Sequence, residues 1–272
     1  QGYRVTKGTR FVIGGFVMHK RKVEFVRRLI SKGNGLATTG KLDEAQAILE
    51  TALQLNPDFD GTYTVLAEVY KKQGKTEEAI KTLRRCTELN PRNSEGLYSL
   101  AIILKEAGDA AEAERLYKRV LELDPKDVDS MFNLATIMGE AGRGQEEVTW
   151  LRKCVATDPK HDTCAGAYAN LGCALGDLQR PELLEEEMAC YEKAIELKPD
   201  LHVAWYSYAC ACAENGKLKD AEAKFKHVLA KIRPGDARTL DALARVHGMM
   251  RRRGMEVEEE PRGAEEEEVE DF

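Results

Sequence analysis

The chain has 272 residues, of which 43% are hydrophobic and 7% aromatic, and it carries a formal net charge of −6. So few aromatic residues favour helices that pack through Ala and Leu over an aromatic-rich β-sandwich. The negative charge argues against general affinity for nucleic acid, because such affinity depends on Lys and Arg side chains that neutralise phosphates.

The chain begins with a basic segment that fits no repeat. Within residues 1–32, nine Lys and Arg side chains are accompanied by a single acid, Glu24. Two β-prone stretches flank the turn-forming pair Gly14–Gly15. We therefore predict a basic N-terminal arm over residues 1–25, either a hairpin or a segment that becomes ordered on binding. The apolar run Phe11–Met18 is too short to span a membrane.

After this arm the chain repeats with a period of 34 residues. Glycines recur at that spacing at Gly40, Gly74, Gly108 and Gly142. Prolines recur at Pro57, Pro91, Pro125, Pro159, Pro199 and Pro234, with three spacings of 34 followed by spacings of 40 and 35. A glycine supplies the left-handed conformation at a helix C-terminus, and a proline ends a helix because it cannot continue the hydrogen-bond ladder. Each unit is therefore predicted to be a pair of antiparallel helices that buries its apolar face by stacking on its neighbours.

The second unit shows the pattern most fully, at Tyr63, Leu66, Ala67, Tyr70, Ala79, Leu83 and Pro91. These residues and the period resemble the tetratricopeptide repeat (TPR) family, over roughly Val26–Arg253. The resemblance implies an all-α fold, a right-handed superhelical solenoid of antiparallel helix pairs with about six repeats and a C-terminal capping helix. The predicted divisions are repeats at 26–59, 60–93, 94–127, 128–164, 165–201 and 202–236, a capping helix at 237–253 and an acidic disordered tail at 254–272.

Two repeats depart from the pattern. Repeat four has Glu147 where the pattern places a small residue, so either Val148 turns inward or the helix pair splays. Repeat five aligns only with about three extra residues near His161–Cys164 and about three more near Gln179–Glu187. These are either tolerated insertions or a loop that a partner uses.

No motif of catalysis or cofactor binding emerges from the sequence. The five histidines are scattered without a metal-binding spacing, and the glycine-rich stretches match no phosphate-binding fingerprint. Cys86 and Cys154 fall where TPR proteins pack a small residue, so we expect both in the core. Cys173 and Cys210 occupy equivalent positions in adjacent repeats, but a zinc site would need two further ligands. We therefore predict a protein that is not an enzyme and has no catalytic residue, cofactor or metal.

In the TPR family the first helix of each repeat lines a concave groove that grips an extended or helical peptide. Carried over position by position, the resemblance assigns to a partner-binding groove Thr64, Glu68, Lys72, Tyr98, Ser99, Phe132, Asn133, Asn170 and Tyr206. Asn133 and Asn170 occupy the same position in consecutive repeats, and an Asn amide can pair with a peptide backbone through both its donor and its acceptor. The aromatic members would be anchors. The alternative is a merely solvated polar face.

The function predicted from these features is a non-enzymatic protein–protein interaction scaffold, an adaptor or assembly factor that binds a protein segment, with no small-molecule substrate, nucleic acid or transmembrane segment. Two alternatives stay open: the repeat arm of a larger enzyme such as an O-linked sugar transferase, or a structural subunit of a large organellar or ribonucleoprotein complex. The start at Gln1 allows a processed or truncated chain. Seven cysteines in predicted helices indicate free thiols in a reducing, intracellular compartment, the cytoplasm first and an organelle as the alternative.

Overall fold

The computed structural model describes the backbone of residues 7–257 and the side chains of residues 22–257. Over this range the regular structure is helical, and the described residues contain no strand. The α-helices are α1 (Lys7–Thr38), α2 (Leu42–Leu55), α3 (Asp60–Lys72), α4 (Thr76–Leu89), α5 (Ser94–Glu106), α6 (Ala110–Leu123), α7 (Val128–Glu140), α8 (Gly144–Thr157), α9 (Cys164–Asp177), α10 (Leu184–Leu197), α11 (His202–Glu214), α12 (Leu218–His227) and α13 (Ala237–Arg252). The predicted all-α fold of helix pairs is thereby confirmed.

The chain divides into two units, residues 1–137 and 138–272, with the boundary inside α7. In the first unit α1 packs on α2, α3 on α4 and α5 on α6, and successive pairs stack. The core positions at the start of each second helix are alanines, and Ala45, Ala79 and Ala113 are fully buried. Small residues there allow the two helices of a pair to approach closely.

The turns inside these pairs explain the 34-residue glycine period. Gly40, Gly74 and Gly108 adopt φ values of 81°, 75° and 92°, which only glycine reaches without steric cost. After Gly74, the Lys75 N–H donates to the Tyr70 carbonyl at 2.9 Å, and the Gly74 N–H donates to the Lys71 carbonyl at 3.0 Å. This pair of bonds satisfies the last carbonyls of α3 and reverses the chain direction.

In the second unit α9 packs on α8 and α10, and α11 packs on α10 and α12. The sequence predicted a capping helix at 237–253, and α13 occupies that place with its N-terminus capped by the Asp236 carboxylate, which accepts from the Thr239 N–H at 2.9 Å. Leu243, Val246 and Met250 of α13 are buried against α11 and α12. Each such side chain contributes about 1.5–3 kcal/mol when fully removed from water, so their burial stabilises the packing of α13 on α11 and α12.

The predicted hairpin at the N-terminus is wrong. The described part of residues 1–25 is the beginning of α1, a single helix that runs from Lys7 to Thr38. A Gly in a helix interior costs about 1 kcal/mol relative to Ala, and propagating an existing helix is easier than starting one, so α1 extends through Gly14–Gly15. Residues 1–6 and most of the predicted acidic tail, from 258 onward, lie outside the described residues.

The irregular fifth and sixth repeats have local explanations. Between α9 and α10 no glycine closes the turn: Gln179 takes the left-handed conformation at φ 51°, and a 3₁₀ turn follows at Pro181–Leu183. This turn contains the second predicted insertion. The proline spacing of 35 in the sixth repeat arises from a π-helical turn at Val228–Ile232, because a π-turn inserts one residue into an α-helix.

Candidate partner-binding face

The first helices of the pairs carry the predicted groove residues. We use the name first-helix face for the sides of α3, α5 and α7 in the first unit and of α9 and α11 in the second that carry these residues, and each unit is described by itself. In the first unit this face contains a cleft of about 190 Å³ between α3 and α5. The cleft is lined by Thr64, Val65, Glu68, Lys71, Leu83, Glu95, Ser99, Ile102 and Ile103. The structure therefore brings together three predicted residues, Thr64, Glu68 and Ser99.

Charged side chains at this cleft pair with one another. The Lys72 Nζ lies 2.7 Å from the Glu68 Oε1, and the Lys71 Nζ lies 2.8 Å from the Glu106 Oε1. All four side chains are at least 40% exposed. Ion pairs this exposed contribute only about 0–1 kcal/mol, so a partner's charged groups can replace them at little cost.

The Thr64 side chain lines the cleft but offers it no free hydrogen-bond donor. It is only 6% exposed, and its Oγ1 donates to the Gly61 carbonyl at 3.0 Å within α3. Its hydroxyl donor is therefore already used by the helix itself.

Tyr98 and Asn133 form a hydrogen-bonded pair in the first unit. The Asn133 Nδ2 donates to the Tyr98 hydroxyl at 3.3 Å and to the Asp129 carbonyl at 2.9 Å. The Tyr98 ring lies edge-on to the buried Tyr117, with ring centres 5.8 Å apart. Burial raises the pKa of Tyr98, and Asp129 adds to the effect, so the phenol stays protonated at neutral pH. Both hydrogen bonds of the Asn133 side chain are donated by its Nδ2, so its Oδ1 remains available as an acceptor. Phe132, the preceding residue, is half-buried.

Asn170 and Tyr206 lie in the second unit. Asn170 is half-buried on α9, and its amide makes no hydrogen bond within the described residues. Tyr206 lines a cavity of about 220 Å³ with Cys210, Glu214, Arg245 and other residues of α11 and α13. The Arg238 guanidinium lies 4.8 Å above its ring. The position of the Tyr206 ring is thus fixed by its neighbours.

Two glutamates that take the place of a core alanine form a feature that the sequence revealed only in part. Glu147 and Glu187 are the fourth residues of α8 and α10, where the other second helices have alanine. Each carboxylate packs on a glycine: a Cβ at Gly139 would lie 2.6 Å from the Glu147 Oε1, and one at Gly176 would lie 2.9 Å from the Glu187 Oε1. Val148 turns inward beside Glu147 and is 4% exposed, in line with one of the two predicted alternatives.

The environment of both carboxylates opposes their ionisation. Burial raises the pKa of Glu147, and the Asp177 carboxylate adds to this. Burial likewise raises the pKa of Glu187, with Glu214 and Asp177 adding to it. The insertion before α10 displaces Glu187 from the regular spacing, which is why it escaped the sequence analysis. The signal that could have found it is the pairing of a glycine in the first helix with an acid in the second.

The cysteines are packed as free thiols. Cys86 and Cys154 are fully buried, as predicted, and all seven cysteines are free. Burial raises the pKa of Cys86 to about 12, so its thiol is not a nucleophile at neutral pH. Cys173 contacts the Ser207 Oγ, at 3.3 Å, rather than another thiol. Within residues 22–257, no group of three or more metal-ligating side chains is close enough to hold an ion.

A search of the described helices for a membrane span finds none with the length and apolar character to cross a bilayer. Comparison with protein families gives four matches, all described as tetratricopeptide repeat, at residues 36–103, 98–162, 165–201 and 190–223. These matches follow one another along most of the chain. No protein of curated function matches the sequence.

Several solved structures share the fold. The P. aeruginosa PilF structure has 15% identity and a TM-score of 0.71, over 82% of this chain and 99% of that chain. The C-terminal part of a TPR repeat-containing protein from Cytophaga hutchinsonii has 18% identity and a TM-score of 0.64, over 81% and 86%. YrrB, described as a TPR protein with an unusual peptide-binding site, has 22% identity and a TM-score of 0.55, over 66% and 89%. Identities this low show a shared fold.

Proposed function

We propose that this chain, which belongs to the tetratricopeptide repeat family, is an adaptor or assembly factor. It binds an extended or helical segment of a partner protein on its first-helix face. The fold of this family is typically a non-catalytic scaffold for protein interaction. The observation that carries this proposal is the cleft between α3 and α5, which gathers Thr64, Glu68 and Ser99. The likeness to YrrB supports it, because that TPR protein has a peptide-binding site.

The chemistry of the face suits a peptide backbone better than a small-molecule substrate. Asn170 offers both donors and acceptor, and Asn133 offers its Oδ1. An Asn amide can pair with a backbone amide whatever side chains the segment carries. Tyr98 and Tyr206 are held by neighbouring rings or charges, so they bind without much loss of conformational freedom.

Substitution of the two asparagines tests this proposal. A partner segment is first identified by affinity capture and mass spectrometry, and its affinity for Asn133→Ala with Asn170→Ala is then measured by calorimetric titration. Removing one hydrogen-bonding partner at a buried interface costs about 1–3 kcal/mol, so we expect a loss of at least about tenfold.

Helicity, measured by circular dichroism, should be unchanged in the double variant. Lys81→Ala is the matched control, since Lys81 is exposed on the second helix α4, and its affinity should equal that of the wild type. Equal affinity in the double variant and the wild type would contradict the proposed role of the first-helix face.

A further inference from the structure

A second cavity, of about 340 Å³, lies in the second unit where α9 turns into α10. We call it the Glu187 pocket, and it is lined by Leu175, Gly176, Gln179, Arg180, Pro181, Leu184, Glu187, Glu214 and Asn215. It is built from the ends of the first helices α9 and α11 together with the start of α10. It therefore adjoins the first-helix face.

Glu187 is a largely buried glutamate that lines the pocket and has no counterion among the described residues. It is 8% exposed, and it makes no hydrogen bond or ion pair within the described residues. Burying an ionised group is costly unless it is paired. Arg180 lines the same pocket, but its guanidinium lies 2.7 Å from the exposed Glu182 and forms no ion pair with Glu187. The pocket thus contains a carboxylate that no cation of the described residues pairs with.

The backbone beneath this carboxylate is shaped to admit it. Gly176 lies so close that a Cβ there would be 2.9 Å from the Glu187 Oε1. Four second helices, α2, α4, α6 and α12, carry a fully buried alanine at the equivalent place. An acid with a matching glycine is therefore a local departure from the repeat, and the fold gains no pairing from it.

Acidic groups outnumber basic ones at the pocket, where Arg180 is the one cation among the lining residues. Glu214 lines it, and Asp177 lies close enough to act on Glu187. Asp177 and Glu214 are also the last residues of α9 and α11, so the partial negative charges of two helix C-termini add to the acids. The first turn of α10 opposes this field, but Glu185 and Glu186 stand there with Glu187. The described acids are too dispersed for a metal ion, whereas a cavity of this size admits an organic cation.

We propose that the Glu187 pocket takes a cationic side chain, that of Lys or Arg, from the partner segment. This inference rests on the proposed function, because the segment on the first-helix face supplies the cation. The Glu187 carboxylate accepts hydrogen bonds from the ammonium or guanidinium group, and the exposed Glu214, which also lines the pocket, attracts the charge from solvent. The pocket thereby selects segments with a basic residue in this position, since a buried carboxylate penalises a neutral one.

NMR titration with a single-residue probe tests the pocket directly. The probes are N-acetyl-arginine methylamide and N-acetyl-lysine methylamide, with N-acetyl-citrulline methylamide as the neutral match for arginine. We expect saturable amide shifts at Gly176, Glu214 and Asn215 with a cationic probe and none with citrulline. In Glu187→Gln, which keeps the shape and removes the charge, the dissociation constant should rise by at least about tenfold.

Glu147→Gln is the matched control, since it makes the same change at the equivalent position of the preceding repeat, and it should leave the dissociation constant unchanged. Equal binding of citrulline and arginine, or equal binding by the wild type and Glu187→Gln, would overturn the pocket. The single-residue probe reports on the pocket alone. If the partner segment still binds through Asn133 and Asn170 while both cationic probes fail, the pocket is wrong and the proposed function stands.

Discussion

At the scale of single residues, two largely buried glutamates lower the stability of the second unit. Glu147 and Glu187 take positions that alanine fills elsewhere, and Gly139 and Gly176 make room for them. Burial is the main cause that raises the pKa of both carboxyl groups. The ionised form of each is therefore less stable in the folded chain than in the unfolded chain, and the cost is present at neutral pH.

Glu187→Gln should consequently stabilise the isolated protein at pH 7. Removing an unpaired buried charge gains about 1 kcal/mol, or about 2–4 °C in the unfolding midpoint of a chain of this size. Because the pKa of Glu187 is raised on folding, its cost is fully present above the folded pKa and disappears as the pH falls below the unfolded value of about 4.3.

Thermal unfolding of both proteins between pH 4 and pH 7 measures this difference. The gain from Glu187→Gln should be largest at pH 7 and should shrink towards zero at pH 4. A gain that stays constant over this range would show that the charge of Glu187 is not its cause.

At the scale of the helix pair, one turn conformation recurs and one connection breaks the rule. Gly142 and Gly216 repeat the left-handed turn in the second unit, at φ 72° and 76°. At the α9–α10 turn, Gln179 adopts φ 51° although it carries a Cβ. A left-handed conformation costs a non-glycine residue about 1–2 kcal/mol. The turn that borders the Glu187 pocket is therefore strained.

Gln179→Gly should relieve this strain and stabilise the protein by about 0.5–1 kcal/mol, after the greater flexibility of glycine in the unfolded chain is subtracted. The matched control is Ala107→Gly, at the end of α5, where φ is −79° and no strain exists to relieve. That change should destabilise the protein by about 0.5–1 kcal/mol. Chemical denaturation of the two variants decides the matter, and a loss of stability in Gln179→Gly would contradict the account of the turn.

Sequence periodicity predicts those elements whose conformation is determined by their own residues. It misses those whose conformation depends on contacts with other parts of the chain. The glycine and proline markers predict the helix pairs, because each marker reflects the backbone geometry of its own residues. The hairpin alternative before residue 26 is wrong because Gly14–Gly15 does not form a turn: helix propagation overrides two glycines. The π-turn at Val228–Ile232 was missed because one inserted residue looks like a late proline.

At the scale of the whole molecule, the family resemblance assigns the predicted groove residues to the first helices but does not predict the contacts that surround them. Thr64, Glu68 and Ser99 meet in one cleft, and Tyr98 meets Asn133, because the helices that carry them are neighbouring first helices. The buried hydroxyl of Thr64 and the unpaired carboxylate of Glu187 depend on contacts between helices, which the period does not encode. We expect a partner segment to bind both to the Asn side chains that pair with its backbone and to the Glu187 pocket.

Hydrogen exchange measured by mass spectrometry, with and without the captured partner segment, tests the central claim most directly. Binding on the first-helix face should slow amide exchange in α3, α5, α7, α9 and α11 relative to the free protein. The second helices α4, α6 and α12 should change less, because their exposed sides stay in solvent. Protection confined to α4, α6 and α12, with the first helices unchanged, would contradict binding on this face.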